Sequence, residues 1–238
     1  MCGRYVVTNA VSKTKGIVKA AINVKDNENY NAHPYQDLPV IKKYTNGYTL
    51  ENLKWGIIPS WSKKKEFRPL INARLETIDE KVSFKKLIKL TRCVVIADGF
   101  YEWKHYENNK IPYYFLREDK KLMFIAGIFE KDQFCLITEE ASKNVSEIHQ
   151  RQPVLLNEKN VNRYLNIELN GSDLLKECKK PNLIFYQIAK DVNKPTNNSL
   201  SLIQKVKEFK DNEFFFDYLK KDIIAKRKMG HLTIVEKS

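Results

Sequence analysis

The amino-acid sequence predicts an α+β fold: a strand-rich, mixed or antiparallel sheet, curled partly into a barrel and flanked by peripheral helices. Short apolar runs bounded by glycine, proline, asparagine or charged clusters are typical of strands. They read LKWGII, CVVIADGF, IPYYFLR, KLMFIAGIF, FCLIT, QPVLL and NLIFYQIA. Helical character is confined to EKVSFKKLIKL and to the region from EKNVNRYLN to SDLLKECKK. Because strands and helices do not alternate, a βαβ arrangement is not expected.

Length and composition favour one domain over residues 1–206 and a charged C-terminal helix or tail over residues 207–238. The chain has 238 residues, of which 42% are hydrophobic, enough to bury a core. No apolar run has the length of a membrane-spanning helix, and MCGRYVVTNA lacks the pattern of a secretory signal. We therefore expect a monomer that binds no membrane and lies in the cytoplasm, at the nucleoid in a bacterium, or in a nucleus.

A formal net charge of +13 indicates a polyanionic partner such as nucleic acid. Most of the positive charge is lysine, scattered as KK pairs among many asparagines, and a compositional bias of the genome produces the same surface. The charge alone therefore leaves both interpretations open. Arginine is more informative because its planar fork suits bidentate contact with phosphate, and Arg4, Arg74 and Arg151 lie in the motifs described below.

The four cysteines predict neither a metal site nor a cofactor site. Cys2, Cys93, Cys135 and Cys178 form no CxxC pair and show no metal-ligand spacing. Cys93 and Cys135 lie in apolar runs, where cysteine usually behaves as a small buried hydrophobic residue.

Five segments together carry a resemblance to a known family: MCGRY, WGIIPSW, INARLET, ADGFYEW and IHQRQPVLL. In this order and spacing they resemble the SOS response-associated peptidase (SRAP) family of abasic-site DNA–protein crosslinking proteins. YNAHP, LITEEA and DVNKP followed by LIQKV extend the resemblance over nearly all of residues 1–206. The resemblance implies covalent capture of abasic sites in single-stranded DNA as part of the DNA damage response, without a cofactor.

Cys2 is the predicted nucleophile. Removal of Met1 would leave an N-terminal cysteine, whose α-amine condenses with an aldehyde to an imine and whose thiol then closes a thiazolidine ring. Internal cysteines have no free amine and cannot form this ring. The α-amine has a pKa of about 7.7–8.0, against about 10.4 for lysine, so that a useful fraction is neutral near neutral pH.

Glu102, His149 and Asn72 are the other predicted catalytic residues. Glu102 follows a buried strand-like run, where desolvation raises the pKa of a carboxyl group towards values suited to proton transfer. A ring nitrogen of His149 can hold a reacting oxygen or a phosphate. Asn72 offers both a donor and an acceptor, which can orient the new N-terminus or the ribose hydroxyl. In SRAP proteins the glutamate that matches Glu102 acts as the acid and base.

The predicted DNA contacts are Arg4, Arg74, Arg151, Trp55 and Pro34. The arginines are candidates for phosphate contact, while aromatic and rigid apolar groups beside a basic groove can stack on bases or separate them. For Trp55, ordinary core packing remains open as an alternative.

One position departs from the family pattern. The family usually has methionine where this chain has Gln152, which puts the local packing, but not the chemistry, in doubt.

Three functions remain to be separated. In the first, the protein forms one stable crosslink, with weak abasic-site lyase activity through β-elimination from the imine. In the second, it is a cysteine peptidase in which His149 activates Cys2, with removal of its own Met1 as its only cleavage. In the third, it binds nucleic acid or a modified base without a covalent bond. We favour the first, since the crosslink needs thiol and amine together, as only an N-terminal cysteine provides.

Overall fold

The computed structural model describes residues 2–15, 20–44, 47–62, 67–106 and 109–206. Within these ranges the chain forms two β-sheets with a few short helices, which confirms the predicted α+β class. The predicted C-terminal helix or tail lies outside the described residues. No helix in the described ranges is long and apolar enough to cross a membrane.

Every apolar run that was predicted to be a strand contributes residues to one. The strands are β1 Tyr5–Thr8, β2 Ala20–Ile22, β3 Glu28–Ala32, β4 Asp37–Tyr44, β5 Gly47–Trp55, β6 Asn72–Arg74, β7 Arg92–Ala97, β8 Gly99–Tyr106, β9 Asn109–Arg117, β10 Met123–Glu130, β11 Gln133–Glu140, β12 Arg151–Pro153, β13 Leu155–Leu156 and β14 Leu183–Gln187. Among the strands that the sequence did not suggest, β3 and β6 are short and mostly polar, while β4 has a short apolar run, LPVI, followed by two lysines.

The helices are short, and each lies between two strands along the chain. They are α1 Ala10–Thr14, α2 Leu87–Leu90, α3 Glu158–Leu165 and α4 Gly171–Glu177, with 3₁₀ turns at Leu75–Thr77, Val145–Glu147, Lys190–Asn193 and Leu200–Ile203.

The predicted helix EKVSFKKLIKL is mostly wrong. Only α2 is helical, and the residues before it form successive hydrogen-bonded turns. The turns and α2 still bury Phe84, Leu87 and Ile88, so the apolar spacing was correct while the helix length was not. The α3 and α4 helices agree with the prediction for the second region.

The first sheet has the strand order β14–β9–β8–β1–β3 and is antiparallel throughout. Alternation along β8 places Phe100 and Glu102 on one face and Tyr101 and Trp103 on the other. Phe100 belongs to the main core and stacks on Phe115 at 4.9 Å, whereas Tyr101 belongs to a smaller apolar cluster. The side chain of Glu102 therefore points towards the main core.

The second sheet closes on itself, which confirms the predicted barrel-like curvature. Its order is β12–β11–β10–β7–β4–β5–β2, and β11 also pairs in parallel with β5, through Gln133 with Lys54 and Phe134 with Trp55. The same β11 strand pairs in parallel with β6 and antiparallel with β12. These two short strands therefore lie on opposite sides of β11, next to each other only through that strand.

Trp55 fills the point of closure. Its ring is fully buried, stacks on Phe134 with centroids 6.2 Å apart, and lies 5.1 Å from the ring of Tyr5 in β1. The indole Nε1–H donates to the carbonyl of Ile71, directly before β6. One side chain thus connects the closed sheet, the N-terminal strand and the segment that leads into β6.

Two buried tyrosines provide a matched test of this packing. The hydroxyl of Tyr5 is buried without a hydrogen-bond partner among the described residues, whereas the hydroxyl of Tyr101 donates to the carbonyl of Tyr30 at 2.8 Å. A made hydrogen bond is worth about 1 kcal/mol net, and an unsatisfied buried hydroxyl costs at least as much. We expect urea unfolding to show Tyr5→Phe as neutral or stabilising by up to about 1 kcal/mol, and Tyr101→Phe as destabilising by about 1 kcal/mol. Equal losses in both variants would contradict this description.

Candidate active site

Cys2 lies three positions before β1 begins, and its side chain belongs to the main core. Its side chain is fully buried, and its thiol Sγ donates to the carbonyl of Arg4 at 3.9 Å. Burial raises the pKa of the Cys2 thiol far above its usual range, and the charge of Glu102 raises it further. The site therefore holds a neutral thiol rather than a thiolate.

Glu102 is a buried carboxyl group with a strongly perturbed affinity for its proton. Its side chain lies on the core face of β8 and the residue is only 3% exposed. Burial raises the pKa of Glu102 from 4.5 to about 7, since a carboxylate loses hydration in this environment. Glu102 is thus present in both protonation states near neutral pH, as a group that gives and accepts protons requires.

His149 lies between the 3₁₀ turn Val145–Glu147 and β12. Its Nε2 lies 3.9 Å from Oε2 of Glu102. Its Nδ1 accepts from the backbone N–H of Arg151 at 3.0 Å and lies 3.1 Å from the carbonyl of the same residue. Burial lowers the pKa of His149, which favours a neutral imidazole near neutral pH. The backbone of β12 holds the ring so that its other nitrogen faces Glu102.

Asn72 connects β6 directly to the N-terminal segment. Its Nδ2 donates to the carbonyl of Cys2 at 2.9 Å, while its Oδ1 is buried without a partner among the described residues. An unsatisfied buried acceptor beside Cys2 is suited to accept a hydrogen bond from the amine that removal of Met1 would create. Asn72 therefore ties the backbone of Cys2 to β6.

The fold explains why these residues meet. β11 runs between β6 and β12, with Thr138 opposite Arg74 on one side and Pro153 on the other. Asn72 at the start of β6 and His149 just before β12 therefore lie near the same part of β11. The antiparallel pairing of β1 with β8 brings Tyr5 opposite Phe100, and hence Cys2 and Glu102 towards the same region.

Among the residues that the structure describes, no three histidine, cysteine, aspartate or glutamate side chains cluster closely enough to hold a metal ion.

The predicted DNA contacts differ in how free their side chains are. Arg74 is exposed, and no residue in the described part of the chain pairs with its guanidinium. Alternation along β6 places Arg74 on the same face as Asn72. Pro34 is half-buried at the end of β3. Both positions remain compatible with contact to DNA.

Arg4 and Arg151 have structural partners that sequence reasoning did not foresee. Nη1 of Arg4 donates to Oδ1 of Asn31 at 2.6 Å and to the carbonyl of Val192 at 2.9 Å. Arg151 forms a bidentate pair with Glu76 at 2.8 and 2.9 Å. Arg151 thus fastens β12, and with it the backbone that holds His149, to the turn after β6, which is a different role from the predicted phosphate contact.

For Trp55, the predicted base contact is wrong. The ring is 0% exposed and its one donor is satisfied by Ile71, so that no base can reach it. Trp61, which the sequence argument did not select, is 54% exposed and packs its ring edge against Phe67 at 6.1 Å. Composition cannot distinguish these two tryptophans, because only the closure of the sheet decides which one is buried.

Gln152 replaces the usual methionine without leaving unsatisfied polar atoms. Its Nε2 donates to Glu139 at 3.1 Å, and its Oε1 accepts from the backbone N–H and the hydroxyl of Ser142. The residue is 5% exposed, so hydrogen bonds take the place of the apolar packing expected of methionine.

Comparison with known proteins agrees with this arrangement. The model of the SOS response associated peptidase (SRAP) family matches residues 1–195. This chain belongs to the SRAP family. A second model, for the phosphoribosylaminoimidazole carboxylase C-terminal domain, matches residues 192–238, a stretch too short to establish that family and mostly outside the described residues.

SRAP relatives of this chain occur in several organisms. It is 32% identical to the abasic site processing protein YoqW of Bacillus subtilis over 86% of this chain and 99% of YoqW. It is 28% identical to the abasic site processing protein YedK of Escherichia coli, over 74% of this chain and 84% of YedK.

Solved structures share the SRAP fold of this chain. A protein from Bacteroides thetaiotaomicron superposes with a TM-score of 0.73 at 24% identity, over 86% of this chain and 100% of that one. A phage-related protein from Bordetella bronchiseptica superposes with a TM-score of 0.66 at 23% identity, over 79% of this chain and 95% of that one. These similarities show the fold alone.

The raised pKa of Glu102 predicts how stability depends on pH. Its folded-state pKa of about 7 exceeds the value of 4.5 expected when it is exposed, so ionisation is unfavourable in the folded state. The stabilising effect of the protonated form is complete below about pH 4.5 and is lost as the pH rises through about 7. Glu102→Gln cannot ionise. Its free energy of unfolding relative to that of the native chain should therefore rise by about 2 kcal/mol when the pH is raised from about 5 to about 8, as measured by urea unfolding.

Glu147→Gln is the matched control for this measurement. Glu147 is an exposed glutamate in the turn before His149 and loses little hydration on folding. Glu147→Gln should change the free energy of unfolding by the same amount at about pH 5 and at about pH 8. A similar pH-dependent gain in both variants would mean that burial of Glu102 is not its source.

Proposed function

We propose that this protein captures abasic sites in single-stranded DNA through a covalent bond to Cys2, and thereby shields the lesion. The proposal rests on the arrangement of four side chains in one region: Cys2, Asn72, Glu102 and His149. Asn72 bonds the Cys2 carbonyl at 2.9 Å, and the carboxyl of Glu102 lies 3.9 Å from His149. The names of YoqW and YedK as abasic site processing proteins support the same function.

The reaction begins with removal of Met1, which creates the free α-amine of Cys2. The amine nitrogen attacks the aldehyde carbon of the ring-opened sugar and gives a carbinolamine. Loss of water forms the imine. The thiol then adds across the carbon–nitrogen double bond: sulfur bonds to carbon, the thiol proton passes to nitrogen, and the thiazolidine ring closes without any oxidant or reductant.

Glu102 and His149 move the protons in this sequence. Protonated Glu102 donates to the ring oxygen of the closed sugar and later to the departing hydroxyl of the carbinolamine, and the carboxylate takes a proton back in between. A pKa of about 7 populates both forms at neutral pH. Neutral His149 holds the sugar oxygen through its Nε2, the nitrogen that faces Glu102.

The state of the thiol favours crosslinking over peptidase activity. A cysteine peptidase requires a thiolate, generated by an adjacent base or a lowered pKa. Here burial raises the pKa of Cys2, and the contact of its Sγ is with the carbonyl of Arg4 rather than with an imidazole. Ring closure onto an imine needs no preformed thiolate, because the electrophile is held on the same residue. Removal of Met1, by the site itself or by an aminopeptidase, is the one peptide cleavage that this mechanism requires.

Recognition of the DNA follows from the exposed groups around Cys2. Arg74 contacts a phosphate beside the lesion, and the rigid ring of Pro34 contacts a neighbouring base. A single strand is the preferred substrate, since a base pair would have to be opened at a cost of a few kcal/mol before the sugar could enter. The imine intermediate also permits slow β-elimination, which would nick the strand weakly. A protein that acts on chromosomal DNA has to be inside the cell.

Variants of the site separate bond formation from proton transfer. We expect Cys2→Ala to give no heat-stable adduct with an abasic single-stranded oligonucleotide, because it lacks the sulfur that closes the ring. Glu102→Gln should slow adduct formation by about 10²–10⁴-fold without abolishing it, since general acid–base catalysis contributes that much. A time course on a denaturing gel, with intact mass to establish that the chain begins at Cys2, measures both effects.

Cys178→Ala is the control for thiol reactivity, because Cys178 is partly exposed while Cys2 is buried. It should react as the native chain does. A heat-stable adduct in Cys2→Ala, or full activity of a chain that retains Met1, would disprove the proposed chemistry. Loss of the adduct in Cys178→Ala as well would point to unfolding or to a different nucleophile.

The phosphate contact predicts a change in salt dependence. Arg74→Ala should weaken binding to single-stranded DNA and reduce the salt slope by about 0.7, the value for one phosphate on a single strand. Arg163→Ala, an exposed arginine in α3, is the control and should leave the slope unchanged. Fluorescence anisotropy at several salt concentrations measures both, and equal slopes for the native chain and Arg74→Ala would exclude this contact.

A further inference from the structure

The imidazole of His149 depends on a short edge strand for its position. The β12 strand, Arg151–Pro153, has three residues, and among the strands of the described ranges it pairs with β11 alone. His149 lies two positions before it. The end of a short edge strand opens easily, because few hydrogen bonds and few buried contacts hold it. Whatever holds the start of β12 therefore also holds the imidazole.

The start of β12 is held from across β11 by Glu76. The two Nη nitrogens of Arg151 donate to the two carboxylate oxygens of Glu76 at 2.8 and 2.9 Å. Nη2 also donates to the carbonyl of Thr138 in β11 at 2.9 Å. Glu76 lies in the 3₁₀ turn directly after β6, and its Oε1 accepts from the backbone N–H of Glu140 at 3.1 Å. One carboxylate thus connects the turn after β6, the end of β11 and the start of β12.

The geometry and charge of this ion pair make it a directional link. Bidentate pairing of a guanidinium with a carboxylate fixes orientation as well as distance. Burial opposes ionisation of Glu76, but the hydrogen bonds and the charge of Arg151 outweigh it and hold the pKa of Glu76 below its usual range. The side chain of Arg151 is 14% exposed, against 41% for Glu76, so that water reaches the pair mainly from the carboxylate side. Glu76 is thus ionised at neutral pH and sets the direction of the Arg151 side chain.

The backbone of Arg151 in turn orients the imidazole of His149. The N–H of Arg151 donates to Nδ1 of His149 at 3.0 Å, and Nε2 of the same ring lies 3.9 Å from Oε2 of Glu102. When Nδ1 accepts a hydrogen bond, the proton of a neutral imidazole is on Nε2. The contact therefore sets both the direction of the ring and the nitrogen that carries the proton.

We propose that Glu76 is a positioning residue for the reaction at Cys2. It fixes Arg151 across β11, and the backbone of Arg151 keeps Nε2 of His149 directed towards Glu102. Glu76 acts only through Arg151 and touches no reacting atom. The inference rests on the proposed function, since it assumes that His149 takes part in the reaction.

The charge of Glu76 separates this role from a contact with DNA. A carboxylate repels phosphate, so Glu76 does not contribute to DNA affinity through its own charge. Loss of the carboxylate therefore acts differently on rate and on affinity. The reaction slows because His149 loses its orientation, whereas DNA binding is unchanged or stronger because a negative charge is removed.

The test measures rate and affinity separately in Glu76→Gln, which keeps the size of the side chain but cannot form the bidentate ion pair. The rate of adduct formation at saturating abasic single-stranded DNA should fall by about tenfold, since a small misplacement of a reacting group costs up to about 10²-fold. Fluorescence anisotropy with a tetrahydrofuran in place of the abasic sugar measures binding without the reaction. By that measurement the affinity should not weaken.

Glu140→Gln is the matched control for the change of charge. Glu140 is an exposed glutamate that pairs with Arg151 in the β11–β12 ladder, and its carboxylate has no hydrogen bond or ion pair within the described ranges. The substitution removes the same charge from the same region of the surface. It should react at the native saturating rate.

A double-mutant cycle tests whether Glu76 acts through Arg151. Arg151→Met removes the guanidinium, keeps a long side chain and should also slow the reaction at saturating DNA. In the Arg151→Met background, Glu76→Gln should have no further effect on this rate, because its partner is already absent. An equal effect of Glu76→Gln in both backgrounds would contradict the proposed path through Arg151.

Glu76→Asp keeps the charge, but its shorter side chain cannot reach both nitrogens. It should react about two- to fivefold more slowly than the native chain at unchanged affinity, as the loss of one hydrogen bond predicts. This variant decides the question if urea unfolding shows that Glu76→Gln does not fold, and a native rate would then overturn the inference.

The two proposals fail in different ways. A native chain that forms no heat-stable adduct refutes the proposed function and, with it, the role of Glu76. A native chain that forms the adduct while Glu76→Gln and Glu140→Gln react equally fast refutes the role of Glu76 alone. Weaker DNA binding of Glu76→Gln at an unchanged saturating rate would also refute it, because it would show a contribution to affinity instead of orientation.

Discussion

The burial of Trp55 where β5 meets β11 is the constraint on which the site depends. Its ring contacts Phe134 across the closure of the sheet and Tyr5 in the N-terminal strand, and its Nε1–H holds the carbonyl of Ile71. Tyr5 follows Cys2 by three positions, and Ile71 precedes Asn72 by one. A large aromatic side chain that is fully removed from water contributes several kcal/mol, so this contact helps to fix the positions of both Cys2 and Asn72.

The packing that builds the core also sets the chemistry of the site. Burial removes hydration from Cys2, Glu102 and His149 and favours the neutral form of each. A neutral thiol and imidazole beside a carboxyl group with a pKa of about 7 can pass protons at neutral pH without a permanent charge. This combination suits imine chemistry, in which water leaves and a thiol adds, better than the thiolate attack of a peptidase. The raised pKa of Glu102 and the neutral thiol of Cys2 thus have one origin, burial.

Sequence reasoning succeeded where a local pattern determines the structure. The apolar runs, the α3 and α4 regions and the family membership are confirmed. The length of the helix before β7 was overestimated, because its apolar spacing is satisfied by turns as well as by a helix. The roles of Arg4 and Arg151 were not foreseen, since an arginine in a motif looks the same whether its partner is a phosphate, a carbonyl or a carboxylate. The catalytic assignments of Asn72, Glu102 and His149 remain predictions, which the geometry now supports with specific contacts.

The sequence by itself determined which chemical groups the protein has and in what order: Cys2 directly after Met1, a glutamate after a buried strand, and strands that do not alternate with helices. These properties depend on covalent structure and on short-range periodicity. Only the tertiary structure decided that Trp55 is buried while Trp61 and Tyr35 are exposed, that Arg151 pairs with Glu76 while Arg74 is left for a ligand, and that Glu102 titrates near neutral pH. Burial, pairing and desolvation depend on strands brought together from distant parts of the chain, and no local pattern encodes those distances.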